Sequence, residues 1–204
     1  AFELALLWRL EGEEEHRRRA AEILLGYAQR YGGYPVGTGR SQARGKATFQ
    51  SLDEAVWLIP LARAHDLLRE GLPSGQRRRI EQDLLRPAAA HVRRERLHRI
   101  HNIECWHNAA LAAVGHGLDD ADLVAAARDG EFGYHRQLAE GVRADGLWWE
   151  GSSSYHFYAL WALVAHAMVS EVADPGLRAA DRLREMFRAP VDLAAPDGRL
   201  PATN

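Results

Sequence analysis

The chain has 204 residues, 47% of them hydrophobic and 26% charged, with six Trp, six Tyr and five Phe. That apolar content is enough for one sizeable core and excludes intrinsic disorder, and a formal net charge of -2 argues against a general nucleic-acid binder. The lone cysteine, Cys105, excludes an internal disulfide framework and a cysteine-based zinc site.

Helical periodicity is running by Leu4, and the opening residues lack the basic region and small-residue cleavage site of a signal peptide. No apolar run approaches the length of a membrane span. Residues 13–31 repeat apolar side chains at helical spacing, with acids in the first turn and bases after it. Residues 32–50 form a long loop rich in Gly and Arg. Ser51 and Glu54 then have the spacing of a capping box, opening a helix that runs to Gly71 and carries Pro60 inside it. Residues 74–96 are helical with an interruption at Pro87, and four further helical stretches cover 103–118, 120–142, 153–173 and 176–193. No stretch sustains the alternation of a half-buried strand, and no repeat of fixed period is visible. The expected fold is all-α, with roughly eight helices in a bundle, toroid or solenoid. The turn-rich end and the abrupt start suggest one domain, residues 1–204, excised from a longer protein.

Several motifs lose their interest on inspection. Gly39 to Lys46 superficially resembles a phosphate-binding loop, but the glycine spacing is one too long and Ala47 stands where a magnesium-binding hydroxyl is needed. His98 and His101 could share a helix turn, yet no third ligand is in register, so no metal site is expected. His65, His91, His116 and His166 read as core-edge or surface residues. The Arg17–Arg19 and Arg77–Arg79 tracts read as solvated helix faces.

Two segments stand apart. In residues 101–120, His101, Asn102, Trp106, His107 and Asn108 crowd the start of an otherwise apolar helix. In residues 143–163, two Trp, a Glu, three Ser and two Tyr lead into another. Asn102 could be an N-cap, Ser152 to Ser154 could cap the later helix, and Tyr155 and Tyr158 could simply pack. Together they make two helix entrances laden with hydrogen-bonding groups and aromatic faces, which is what a sugar-binding cleft requires.

The patterns Asn-x-x-x-Trp-His-Asn-Ala from Asn102 and Asp-Gly-x-Trp-x-Glu-Gly-Ser-x-x-Tyr-His from Asp145, with the closing Pro-Asp-Gly-Arg-Leu-Pro, resemble the heparinase II/III-like polysaccharide lyases, among them heparin-sulfate and oligoalginate lyases. The resemblance runs from about Tyr34 to the C-terminus. It implies an incomplete (α/α) toroid, with the family's C-terminal β-sandwich region absent from this chain, and no cofactor. It also implies β-elimination on a uronic-acid-containing chain, alginate-like or glycosaminoglycan-like, so the expected partner is an acidic oligo- or polysaccharide and neither nucleic acid nor membrane. An elimination needs the uronate carboxylate neutralised, a base for the C5 proton and an acid for the departing C4 oxygen. Tyr155 matches the family's catalytic tyrosine, and Asn102 matches its carboxylate-neutralising asparagine. Many relatives have His after that Asn, where this chain has Ile103, so His101 or His107 is the candidate for the imidazole. His107 lies about 140° around an ideal helix from Asn102. A further histidine comes from the sandwich region in the family, so the isolated domain is expected to bind substrate and turn it over poorly.

Arg40, Arg44, Lys46 and Arg99 are the candidate cations for an acidic substrate, with Gln50 a candidate hydrogen-bond donor. Trp106, Trp149 and Glu150 are candidates for sugar contact, with at least one of Trp148 and Trp149 in the core. Two other functions compete. A glycoside hydrolase needs paired carboxylates, for which Asp145 and Glu150 are the close candidates. The other is a non-catalytic carbohydrate-binding helical module. The sequence holds no sign of compartment.

Overall fold

The computed structural model describes residues 1–38 and 43–200. Among these the only regular elements are helices, with two isolated bridges, Arg44 to Gln50 and Val142 to Trp148, as the extended pairings. The all-α class is as expected, and the succession of packed helices is consistent with an incomplete (α/α) toroid. Among the described residues no helix is long and apolar enough to cross a membrane.

Helix α1 (Phe2–Glu11) stops at Gly12, whose φ of 75° is the left-handed region that glycine tolerates and whose N–H returns to the Trp8 carbonyl. Helix α2 (Glu14–Tyr31) buries Ala20, Ala21, Leu24, Ala28 and Tyr31, one face at helical spacing. On the other face Arg18 and Arg19 pair with Glu15 and Glu22 in solvent, as read, while Arg17 is half-buried, pairs with Glu14 and donates to the Gly71 carbonyl at 2.8 Å.

Helix α3 (Ser51–Leu68) departs from its expected start. Gln50 is the N-cap, and neither half of the capping box forms. The Ser51 hydroxyl instead meets His107 Nε2 at 2.9 Å. The Glu54 carboxylate accepts the backbone N–H groups of Lys46, Ala47 and Thr48, the Thr48 hydroxyl and the Tyr31 hydroxyl. Five tertiary donors outweigh one local N–H, so Glu54 fastens the 43–50 loop instead of the helix end. Helix α4 (Ser74–Ile80) passes through a π turn (Glu81–Leu85) into α5 (Arg86–Arg94), with Pro87 at the start of the latter. Proline has no N–H to give, and one widened turn lets the helix continue past it.

Helix α6 (Asn102–Gly117) is buried at every position but Ile103 and His116, and it packs on α3, on α7 (Ala121–Arg128) and on α9 (Ser153–Ser170). Its alanines allow close approach, and a Cβ on Gly115 would come within 2.8 Å of Val124 on α7. Between them α8 (Tyr134–Gly141) is separate from α7, so residues 120–142 hold two helices where one stretch was read. A 3₁₀ turn (Pro175–Ala179) and α10 (Asp181–Leu193) close the chain's helical part.

The histidines sit deeper than expected. His65, His91 and His166 are buried, and only His116 is at a core edge. His91 Nε2 meets the Arg44 carbonyl at 2.8 Å, His116 meets the Ser170 hydroxyl, and His166 stacks on Tyr134 with ring centroids 4.6 Å apart. Burial holds His65 below its ordinary 6.5 and pushes His166 down to about 3, so these rings enter the core neutral. His98, with a φ of 50°, lies in the loop before α6, so it shares no helix turn with His101.

Candidate active site

The first turns of α3, α6 and α9 meet at one end of the molecule. Ser51 opens α3 and bonds His107 in the second turn of α6. Asn102 opens α6 and bonds Glu150, which lies just before α9. One turn further in, Trp106 on α6 packs against Tyr158 on α9 at 5.2 Å. A helix start favours negative charge through its dipole, and here the Asn102 N–H is given to the Glu150 carboxylate, the Ile103 N–H to His101 and the Ser51 N–H to the Ala43 carbonyl.

Asn102 is 2% exposed. Its Nδ2 donates to both Glu150 oxygens, at 3.0 and 2.8 Å, and its backbone N–H donates to Oε2 at 3.1 Å. The N-cap of α6 is His101 and not Asn102: His101 Nδ1 accepts from the Ile103 N–H at 3.2 Å. A ring nitrogen that accepts carries no proton, so neutral His101 is the Nε2–H tautomer. That Nε2 faces Glu150 Oε1 at 3.8 Å. Burial lowers the His101 pKa despite the facing carboxylate, with Arg99 lowering it further. At neutral pH His101 is therefore a neutral donor at Nε2.

The segment that carries Glu150 is a tight turn. Gly146 takes a φ of 79°, Arg143 N–H bonds the Leu147 carbonyl, and Asp145 accepts the Leu147 N–H. Trp148 is buried over Gly141, gives its Nε1–H to Glu150 at 2.6 Å and its backbone N–H to His156 Nδ1. His156 Nε2 in turn meets the Met186 carbonyl on α10 at 3.0 Å. Trp148 is thus core and its neighbour Trp149 is 46% exposed, the division expected of that pair. Ser152 occupies the N-cap of α9, but its hydroxyl makes no cap bond and is buried without a partner among the described residues. Tyr155, two residues into α9, is 49% exposed, and its hydroxyl has no hydrogen-bond partner among the described residues. Tyr158 is half-buried against Trp106, a packing role.

His107 belongs to a different environment. It is fully buried between the Ser51 hydroxyl and Glu104, whose Oε2 lies 3.3 Å from Nδ1. Glu104 is also paired with Arg96, which reaches on to Asn108 Oδ1 at 2.8 Å. Burial alone would raise the Glu104 pKa, but His107 and Arg96 overcome it and hold the carboxyl at about 2. This buried polar chain and the Glu150 cluster share the first turns of α6. Sequence reading missed the chain, although Glu104 and Asn108 in so apolar a helix were its signal.

The family model described as Alginate lyase matches residues 1–201. The chain belongs to the alginate lyase family. It is 33% identical over 179 residues to an alginate lyase of Stenotrophomonas maltophilia (strain K279a), and 30% identical over 180 residues to an exo-oligoalginate lyase of Saccharophagus degradans (strain 2-40 / ATCC 43961 / DSM 17024). Each match covers 83% of this chain and 24% of the relative, so the chain spans about a quarter of the length of the curated relatives it matches.

The cations expected in this alginate lyase family chain are dispersed. Arg40 lies outside the described residues. Arg44 gives its backbone N–H to the buried Glu95 at 3.0 Å and its guanidinium to the same carboxylate. Burial would raise the Glu95 pKa, but these contacts hold it below the usual carboxylate range. Lys46 Nζ bonds the Gly32 carbonyl and lies 4.6 Å from the Tyr31 ring centre. Both side chains thus have structural partners, Arg44 at the end of α5 and Lys46 at the end of α2, and Gln50 pairs with Arg44 through backbone. Arg99 is exposed next to the His101 end of the site and makes no ion pair among the described residues. Trp106 is 3% exposed, with Nε1 buried and unpartnered among the described residues.

Proposed function

We propose that this chain is the helical catalytic domain of a longer, heparinase II/III-like polysaccharide lyase that cleaves uronic-acid-containing glycans by β-elimination. The proposed substrate is an alginate-type oligouronate. The observation that carries the reading is the family match over residues 1–201, with relatives named as alginate and exo-oligoalginate lyases.

In this reading the uronate carboxylate meets the first turns of α3, α6 and α9. Asn102 Nδ2 has two hydrogens. One shared by the Glu150 oxygens leaves the other for the substrate carboxylate, and His101 Nε2–H is a second donor. Neutralising that carboxylate acidifies C5–H and stabilises the charge that develops there. The side-chain oxygen of the exposed Tyr155 takes the C5 proton. The C5–H electrons become the C4=C5 double bond, the C4–O bond breaks, and the proton passes to the departing oxygen. Arg99 supplies charge at the rim, Trp149 offers an exposed ring to a sugar face, and His107 supports the first turn of α6 from below.

The test is the product. Full-length protein incubated with a panel of uronate oligomers should generate ultraviolet absorbance from the new double bond. Cleavage without absorbance would overturn the reading in favour of hydrolysis.

A further inference from the structure

We infer that Glu150 is the positioning residue of this site: its carboxylate sets the orientation of the Asn102 carboxamide and does not itself contact the sugar. The inference rests on the elimination reading above. A carboxylate offers about four lone-pair directions. Oε2 already accepts from Asn102 N, Asn102 Nδ2 and Trp148 Nε1, while Oε1 accepts from Asn102 Nδ2 and faces His101 Nε2. The shared Nδ2 hydrogen counts once, so three hydrogens fill three of those directions, and the fourth, on Oε1, faces the His101 Nε2–H at 3.8 Å.

The chemistry of the pair fixes the geometry. Only the Nδ2 end of Asn102 can face a carboxylate, because a turned carboxamide would set Oδ1 against Glu150. Glu150 therefore decides which end of Asn102 is committed and which hydrogens remain outward. Shielded by its donors, the carboxylate also presents little bare charge to an incoming uronate. Trp148, locked over Gly141 and held by His156, anchors the assembly from the other side.

The test is a double-mutant cycle in the full-length protein. Glu150→Gln should lower kcat about 10- to 100-fold, the cost of a misplaced catalytic group, with KM changed less than about threefold. In an Asn102→Ala background the same change should have little further effect, because the residue it positions is gone. Raised KM with kcat intact would mean direct sugar contact, and losses that multiply would mean independent roles. Either outcome overturns the inference. If Glu150→Gln does not fold, Glu150→Asp keeps the charge, withdraws it by one methylene and should give the same signature at smaller size. Should wild-type protein cleave no uronate, the elimination reading fails by itself. The side-chain amide protons of Asn102 then decide on Glu150: they should exchange about tenfold faster in Glu150→Gln, and equal exchange would overturn the positioning role.

Discussion

Asn102 lies against a carboxylate 48 residues further along the chain, and that contact reverses what capping alone implies for its replacement. An aspartate caps a helix as well as asparagine does, so a purely local role makes Asn102→Asp harmless to stability. Here the new carboxylate would stand within about 3 Å of the Glu150 oxygens, and two buried like charges cannot both stay ionised. Asn102→Asp should therefore lower the melting temperature more than Asn102→Ala does. Part of the loss should return near pH ~5, as the pair takes up a proton. Asn102→Ala removes only the side-chain donor and should cost about 1–3 kcal/mol. Thermal unfolding of both variants at two pH values checks this; an Asn102→Asp protein as stable as wild type would mean that Asn102 and Glu150 do not meet.

At the scale of elements, the glycine that ends α8 controls the approach of the Glu150 turn. A Cβ on Gly141 would fall 2.5 Å from Trp148 Cη2 and 3.0 Å from Ile100 Cγ2. Alanine offers about 1 kcal/mol of helix propensity, less at a helix end, against about 1–3 kcal/mol for overpacking a rigid buried indole. Gly141→Ala should thus be net destabilising, by about 2–6 °C in melting temperature for a chain of this size. It should also lower activity, since Trp148 carries a donor to Glu150. An unchanged melting temperature would contradict this packing. Most helices were legible because periodicity is local: α2, α3, α6 and α9 lie close to where their apolar spacing put them. What escaped was decided by partners distant in sequence. Ser51 and Glu54 look like a capping box until His107, Tyr31 and the 46–48 amides claim them. His101 takes the cap from Asn102 because Glu150 already holds Asn102 in place. Pro87 marked an interruption, but the π turn that absorbs it has no residue signature. The two polar helix entrances and Glu150 stood out in the sequence; the contact between Asn102 and Glu150, 48 residues apart, has no local signal.

For the whole molecule, the buried ionisable groups set how stability answers to acid. His65, His101, His116, His156 and His166 all have folded pKa values below the ordinary 6.5, with burial the leading cause in each. Below that pH the unfolded chain takes up protons that the native one refuses, so stability is present above 6.5 and falls as the pH drops toward their folded values. Glu104 adds a second phase: its contribution is present above 4.5 and is lost as pH falls toward about 2, a difference worth about 3 kcal/mol. Melting temperatures should decline already between about pH 7 and 5 and more steeply below. A flat profile down to pH ~4 would show that these groups are not buried as described.

In the proposed elimination the start of α9 delivers the proton-transferring hydroxyl, and Tyr155→Phe in the full-length protein tests that role. The ring and its packing remain, and only the hydroxyl is lost. The expected result is a fall in kcat of about 10²- to 10⁴-fold, with oligouronate affinity by calorimetry nearly unchanged. Tyr158→Phe, against Trp106, should be mild. Undiminished turnover by Tyr155→Phe, or equal losses from the two changes, would contradict the account.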